Sequence, residues 1–194
     1  MKVAIIKYNA GNIRSVSFAL DRLGVNYVTT DQPEEIMTAD KVLFPGVGEA
    51  STTMDFLKAR KLDQVILKLT QPVLGICLGM QLLCTHSEEN NTSCLGVFDL
   101  EVKKFTSAAH LKVPHTGWNA LTNVSGWLGN QLENQFVYFV HSFYVPVSDY
   151  TVAQTLYGTP FSAALKKNNF YAVQFHPEKS SEPGEMVLEK FLVL

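Results

Sequence analysis

No apolar stretch in the 194 residues approaches the roughly 18 needed to cross a bilayer as a helix, so no transmembrane segment is expected. The first residues, Met1 to Lys7, are too few and too interrupted by lysine for a signal peptide and read as a buried first strand. Cysteine is scarce. Cys77, Cys84 and Cys94 cannot all pair and form no Cys-x-x-Cys motif. If Cys77 and Cys84 shared a helix they would lie about 10 Å apart along its axis, too far for a disulfide. A reducing, cytosolic setting follows. A basic run is also missing, and a net charge of −2 leaves no nucleic-acid footprint. Charged residues are only 18% of the chain, which hints that a partner covers some of its surface. There is no repeat, low-complexity tract, linker or metal-ligand spacing, so one domain over 1–194 without metal or cofactor is expected.

The first half alternates short apolar runs with amphipathic segments. Strands are expected at Val3–Tyr8, Tyr27–Thr29, Lys41–Phe44 and Val73–Ile76. Between them Ile13, Val16, Leu20 and Leu23 recur at helical spacing before Gly24, and helices are expected near Glu49–Lys58 and Leu62–Leu69. This alternation predicts a flavodoxin-like α/β fold, an open and mostly parallel sheet with helices on both faces. The second half reads as strands at Phe98–Phe105, Trp118–Leu121, Phe136–Val145, Thr151–Leu156, Ser162–Leu165 and Tyr171–Phe175. These imply antiparallel additions to the sheet or a β-rich layer beside it, closed by a helix over Glu185–Leu194.

Within this pattern Val73 to Gln81 is the most informative segment. An apolar run ends at Cys77 between Gly75 and Gly79, and helix formers follow at once. That is the cysteine form of a nucleophile elbow, in which a strained strand–turn–helix connection lifts the reactive atom clear of the sheet. Glycines two residues away on either side make room for the turn. A helix beginning there would favour thiolate through its free N–H groups and dipole. The plain alternative is a small apolar cysteine in a glycine-rich turn.

A nucleophile needs a base. Tyr171 to Glu178 ends in His176-Pro177-Glu178, with His176 expected at a strand end, on the rim where α/β sheets carry their chemistry. Pro177 biases His176 to an extended backbone, and in an extended chain His176 and Glu178 face the same way. A carboxylate beside an imidazole fixes its tautomer and stabilises its cation. Cys77, His176 and Glu178 thus supply nucleophile, base and orienter, unless His-Pro-Glu is merely a surface turn. Among the other histidines, His86, His110, His115 and His141, the last is the rival base, though it has no adjacent carboxylate in phase. Pro45-Gly46-Val47-Gly48 after the third strand is a candidate oxyanion turn, working with the N–H of Leu78. No Lys-Ser/Thr follows it, so it is not a phosphate loop.

The elbow Gly75-Ile76-Cys77-Leu78-Gly79-Met80-Gln81 and the segment Gln174-Phe175-His176-Pro177-Glu178 resemble the class I (triad) glutamine amidotransferases. The likeness implies attack of Cys77 on the side-chain amide of L-glutamine, with ammonia released and a glutamyl thioester hydrolysed. Tyr8 to Asn12, Val113 to Asn119, Tyr138 to Tyr144 and Pro177 to Ser180 resemble the branch serving histidine biosynthesis, whose partner is a (β/α)8-barrel cyclase. Thr116 departs from that branch, which usually has methionine there. By this resemblance Val47 and Leu78 carry the oxyanion hole. Gly46, Gly48, Gln81, Ser142 and Phe143 hold glutamine, and Asn12, Tyr138 and Lys179 face the partner. The alternatives are a glutaminase of the anthranilate, GMP or pyridoxal phosphate synthases, a stand-alone γ-glutamyl or cysteine hydrolase, and a catalytically silent regulatory protein.

Overall fold

The computed structural model describes residues 1–8, 12–106 and 111–194, so Asn9, Ala10, Gly11 and His110 lie outside the described residues. In the first half β1 (Val3–Ile6), α1 (Ile13–Arg22), β2 (Tyr27–Thr30), α2 (Pro33–Met37), β3 (Lys41–Gly46), α3 (Ala50–Ala59), α4 (Leu62–Leu67), β4 (Val73–Cys77) and α5 (Leu78–Leu82) alternate as expected. The second half brings β5 (His86–Ser87), β6 (Thr92–Ser93), β7 (Glu101–Lys104), β8 (His115–Ala120), β9 (Phe136–His141) and β10 (Phe143–Tyr144). It closes with β11 (Thr151–Tyr157), β12 (Thr159–Lys167), β13 (Phe170–Val173) and α6 (Ser181–Leu192).

A seven-stranded sheet runs in the order β11-β12-β13-β4-β3-β1-β2. Its β13-β4-β3-β1-β2 part is parallel, and β12 and β11 extend it antiparallel. The order 2-1-3-4 followed by a fifth parallel strand is flavodoxin-like. Both faces are covered, which is why the strands read as unbroken apolar runs. Ala4, Ile6, Val42 and Phe44 point into a core with Ile36, Met54, Leu57 and Leu62. Val3, Ile5, Leu43 and Leu74 point into a second core with Val16, Leu20, Val187 and Phe191. Each of the larger of these side chains, fully buried, contributes roughly 2 kcal/mol.

The β-rich second half does both things the sequence left open. β11 and β12 join the sheet, while the β8–β9 hairpin and a small β10-β7-β5-β6 sheet lie beside it. Several boundaries differ from expectation, and three of them shape the site. The run Phe136–Val145 is broken at Ser142, whose carbonyl accepts the Phe105 N–H (3.0 Å), and the chain leaves the hairpin for the small sheet. The strand expected through Phe175 stops at Val173. The helix after Cys77 stops at Leu82, because the Leu82 and Leu83 carbonyls accept the N–H groups of Leu95 and Phe98. Cys77 and Cys84 therefore share no helix. All three cysteines are free thiols. Burial pushes the Cys84 thiol up and raises Cys94 to about 11, so neither is a ready nucleophile.

The glycines at the elbow are steric requirements. A Cβ on Gly79 would sit on the Phe44 carbonyl of β3, and one on Gly75 would meet the Gly79 backbone at 3.0 Å. Gly79→Ala is therefore expected to cost about 3 kcal/mol in urea unfolding. Gly96→Ala, at φ +75° but in open space, should cost about 1 kcal/mol, and equal losses would refute the close-packing argument.

Candidate active site

Three neighbouring parallel strands deliver the site to one rim. Gly46 at the end of β3 pairs with Cys77 at the end of β4, and Val173 at the end of β13 pairs with Ile76. Cys77 has φ 54° and ψ −109°, a conformation that L residues adopt only when their surroundings force it. The elbow is thus a strained turn, as the glycine spacing implied. Its five-residue helix is too short for the full dipole effect expected from the sequence, which leaves the sulfur's partners to do more.

His176 supplies the main one. It lies three residues beyond β13 with an extended backbone, φ −99° and ψ 95°. Pro177–Lys179 then make a 3₁₀ turn instead of continuing extended, because proline's fixed φ suits the first position of a helical turn. The turn still brings the Glu178 carboxylate onto the ring, with His176 Nδ1 donating to Oε1 over 2.7 Å. Asn12, expected at the partner-facing surface, also donates to that oxygen. The ring is fixed from behind as well. The His176 N–H donates to the Tyr138 carbonyl (2.9 Å), and the buried Ser180 hydroxyl donates to the His176 carbonyl (2.7 Å) while accepting the Tyr138 N–H (2.9 Å).

The ring is 1% exposed. Burial alone would depress its pKa, but the Cys77 sulfur and the Glu178 carboxylate outweigh that and push it up to about 10. Nε2, the nitrogen turned away from Glu178, is buried and makes no hydrogen bond of ordinary geometry among the described residues, although the sulfur acts strongly on its ring. It is the ring position through which a proton can pass. The rival His141 is otherwise engaged. Its Nδ1 meets the Phe143 carbonyl at 2.7 Å and its Nε2 meets His115 at 3.0 Å, and burial lowers its pKa to about 3.

In front of the sulfur lies a cavity of about 420 Å³, of a size for a small molecule. Val47, Gly48, Leu78, Gln81, Ser142 and Phe143 line it with Cys77. Gly46 stays behind the wall, and a Cβ there would sit on the Tyr8 hydroxyl. That hydroxyl donates to the Pro45 carbonyl, so Tyr8 braces the strand end of the glycine turn. Burial, then the Cys77 charge, push the Tyr8 phenol up, which keeps it a neutral donor. Lys179 is exposed and Tyr138 half-buried, beside Trp118 with ring centroids 6.1 Å apart.

Glu89 escaped the sequence reading. It lines the cavity while its Oε2 accepts the Ala50 N–H (2.8 Å), and burial, the largest influence, raises its pKa. No local motif could have flagged it, since it reaches the site through the packing of its 3₁₀ turn against α3.

A family model described as glutamine amidotransferase class-I matches residues 5–194. The chain belongs to the class I glutamine amidotransferases. Within that family it is 61% identical over 196 residues to the imidazole glycerol phosphate synthase subunit HisH of Bacteroides thetaiotaomicron, covering 100% of both chains. It is 43% identical to the HisH subunit of Idiomarina loihiensis, over 100% of this chain and 98% of that one. Among solved structures, PurLQS from Thermotoga maritima matches with a TM-score of 0.73 at 17% identity, over 99% of this chain and 97% of that one. A glutamine amidotransferase from Thermotoga maritima matches with a TM-score of 0.62 at 18% identity, covering 100% of this chain and 83% of that one. At such identities these two structures speak for the fold.

For a class I amidotransferase the charge state of His176 is the quantity to measure. Cys77→Ser removes the strongest upward influence on the ring and leaves burial opposed by Glu178 alone. The His176 ring resonance, followed by NMR, should titrate about two units or more below its wild-type midpoint. An unchanged midpoint would show that sulfur and ring are not coupled.

Proposed function

We propose that this chain is a single glutaminase domain, the glutaminase subunit of imidazole glycerol phosphate synthase in histidine biosynthesis. It hydrolyses L-glutamine to glutamate and ammonia and passes the ammonia to a (β/α)8-barrel cyclase, which makes imidazole glycerol phosphate and AICAR. The observation that carries this is a cysteine at a strained elbow, coupled to a buried His176–Glu178 pair and opening on a small cavity, in a chain 61% identical along its whole length to such a subunit.

The chemistry follows from the geometry. With His176 protonated beside it, the Cys77 thiolate attacks the amide carbon of glutamine, and the carbonyl oxygen takes the negative charge. Backbone N–H groups at Val47 and Leu78 receive that oxygen, and losing one such donor costs about 2.7–4 kcal/mol of barrier. His176 Nε2–H gives its proton to the departing nitrogen, which leaves as ammonia. The neutral ring then takes a proton from water, hydroxide attacks the thioester carbonyl, and glutamate leaves as the thiolate is restored. Glu178, with Asn12 beside it, holds the ring in one tautomer throughout. Gln81, Ser142 and Phe143 grip the glutamine, and the Glu89 carboxylate is placed to receive its α-ammonium.

A partner is required by the product. Ammonia released into water at neutral pH is mostly protonated and no longer nucleophilic, so a sealed passage to a second site is the economical arrangement. Asn12, Tyr138 and Lys179 lie at or near the His176 turn, and Trp118 beside Tyr138 is 50% exposed. A cyclase docked there would press on the backbone that holds the base. The turn at Gly46–Gly48 is misaligned until docking. Tyr8 pins its Pro45 end, and Gly48, at φ 123°, is free to let the Val47–Gly48 peptide rotate.

Cys77→Ala should abolish glutamine-dependent synthesis by the complex and leave ammonia-dependent synthesis by the cyclase intact; loss of both, or of neither, would reject the assignment. Glutamine turnover should rise when the cyclase and its ligand are added, and equal rates would remove the misaligned turn. Glu89→Gln should raise KM for glutamine about tenfold or more with a smaller effect on kcat, because a charged hydrogen bond made in ground and transition states alike is lost. An unchanged KM would remove Glu89 from the substrate site.

A further inference from the structure

The sulfur of Cys77 has a second polar neighbour that the chemistry above leaves unused. Gln174 is fully buried, and its side-chain nitrogen lies 3.7 Å from Cys77 Sγ. We infer that the Gln174 amide is a further catalytic group, a neutral donor that stabilises the Cys77 thiolate and is locked in that orientation by a polarised chain of buried hydrogen bonds. This rests on Cys77 being the nucleophile.

The orientation follows from which atoms can donate. The Phe143 carbonyl can only accept, and Gln81 Nε2 lies 3.0 Å from it. The other hydrogen of Gln81 Nε2 points to Gln174 Oε1, also at 3.0 Å. Gln174 must then present its oxygen to Gln81 and its NH₂ to the sulfur. Flipping it would set two donors face to face at one end and an oxygen against the sulfur at the other.

Behind Phe143 the same logic continues. His141 Nδ1 lies 2.7 Å from the Phe143 carbonyl and must carry the proton. His141 is neutral, its pKa lowered to about 3 chiefly by burial, so Nε2 is an acceptor and His115 Nδ1 must donate to it over 3.0 Å. His115 is neutral for the same reason, lowered to about 4, and is stacked between Tyr157 and Phe139 with centroids at 3.9 and 4.8 Å. Each link has one permitted polarity. A buried donor so constrained has no alternative partner among the described residues, and a hydrogen bond to the charged form of a group favours that form. Being uncharged, Gln174 also keeps this role at any pH at which His176 gains or loses its proton. The other titratable groups around the sulfur are His176 with Glu178 behind it, Tyr8, and His141 and Glu89 in the cavity wall.

The test is the pH dependence of Cys77 alkylation by iodoacetamide in the full-length chain, read by peptide mass spectrometry so that Cys84 and Cys94 are scored separately. Gln174→Met, close in volume but without a donor, should move the Cys77 midpoint up by about one pH unit or more. His141→Leu should move it the same way by less, because it frees the Phe143 carbonyl rather than removing the donor. A midpoint unchanged from wild type in folded Gln174→Met would overturn the inference. A measurement on the wild-type chain needs no destabilising change: the Gln174 side-chain ¹⁵N–H resonance should titrate together with Cys77 and cease to do so in Cys77→Ser. A resonance indifferent to that titration would also overturn it. Neither readout uses glutamine turnover, so a failure here leaves the glutaminase reading standing, and an enzyme that alkylates as expected but does not cleave glutamine would fail that reading alone.

Discussion

The imidazole of His176 sits between an anion-forming sulfur and a carboxylate in a place that water does not reach, and the surrounding architecture serves to keep it there. Removed from solvent, the ring would sooner be neutral. The Cys77 sulfur and the Glu178 carboxylate reverse that preference and push its pKa up to about 10. The cost of burying the charged ring is offset by the Glu178 carboxylate that pairs with it from behind. Removing the ring would leave the Glu178 carboxylate without its counter-charge in a dry site.

Backbone packing secures that geometry. Cys77 lies at the tip of β4 between the β3 turn and the segment after β13, so Cys77, the glycine turn and His176 come from strands in lateral register. Gly79 lets the short elbow helix lie directly on the β3 backbone, and Gly75 lets that helix fold back on its own strand. Gly184 does the same service for the base, since a Cβ there would strike the Pro177 carbonyl and push α6 off the turn that carries Glu178. The β8–β9 hairpin reaches both partners, His176 through the Tyr138 carbonyl and the neighbourhood of Cys77 through His141 and Phe143. A contact made on that hairpin has two short routes to the chemistry.

Much of this could be read from the residues alone, because the strongest signals were local. Apolar runs alternating with amphipathic segments announce a covered parallel sheet, and glycines flanking a cysteine announce a close-packed turn. His-Pro-Glu brought imidazole and carboxylate together as anticipated, although through a 3₁₀ turn rather than an extended strand. What stayed hidden depends on tertiary contact. Nothing within Leu78 to Cys84 says that the helix ends at Leu82, since its last carbonyls are claimed by Leu95 and Phe98 from the next loop. Nothing within Phe136–Val145 marks the break at Ser142, which is made by Phe105. Glu89 reaches the cavity and Asn12 reaches Glu178 by packing across long stretches of chain, and no spacing rule connects those pairs.

The central claim is that the thiolate of Cys77 becomes acylated by glutamine. Acid quenching of the partner-activated enzyme during turnover of carbon-labelled glutamine, followed by peptide mapping, tests it directly. The account requires the label on the peptide that contains Cys77, as a glutamyl group released by hydroxylamine. Sustained ammonia release with no label on that peptide, or with the label elsewhere, would contradict it.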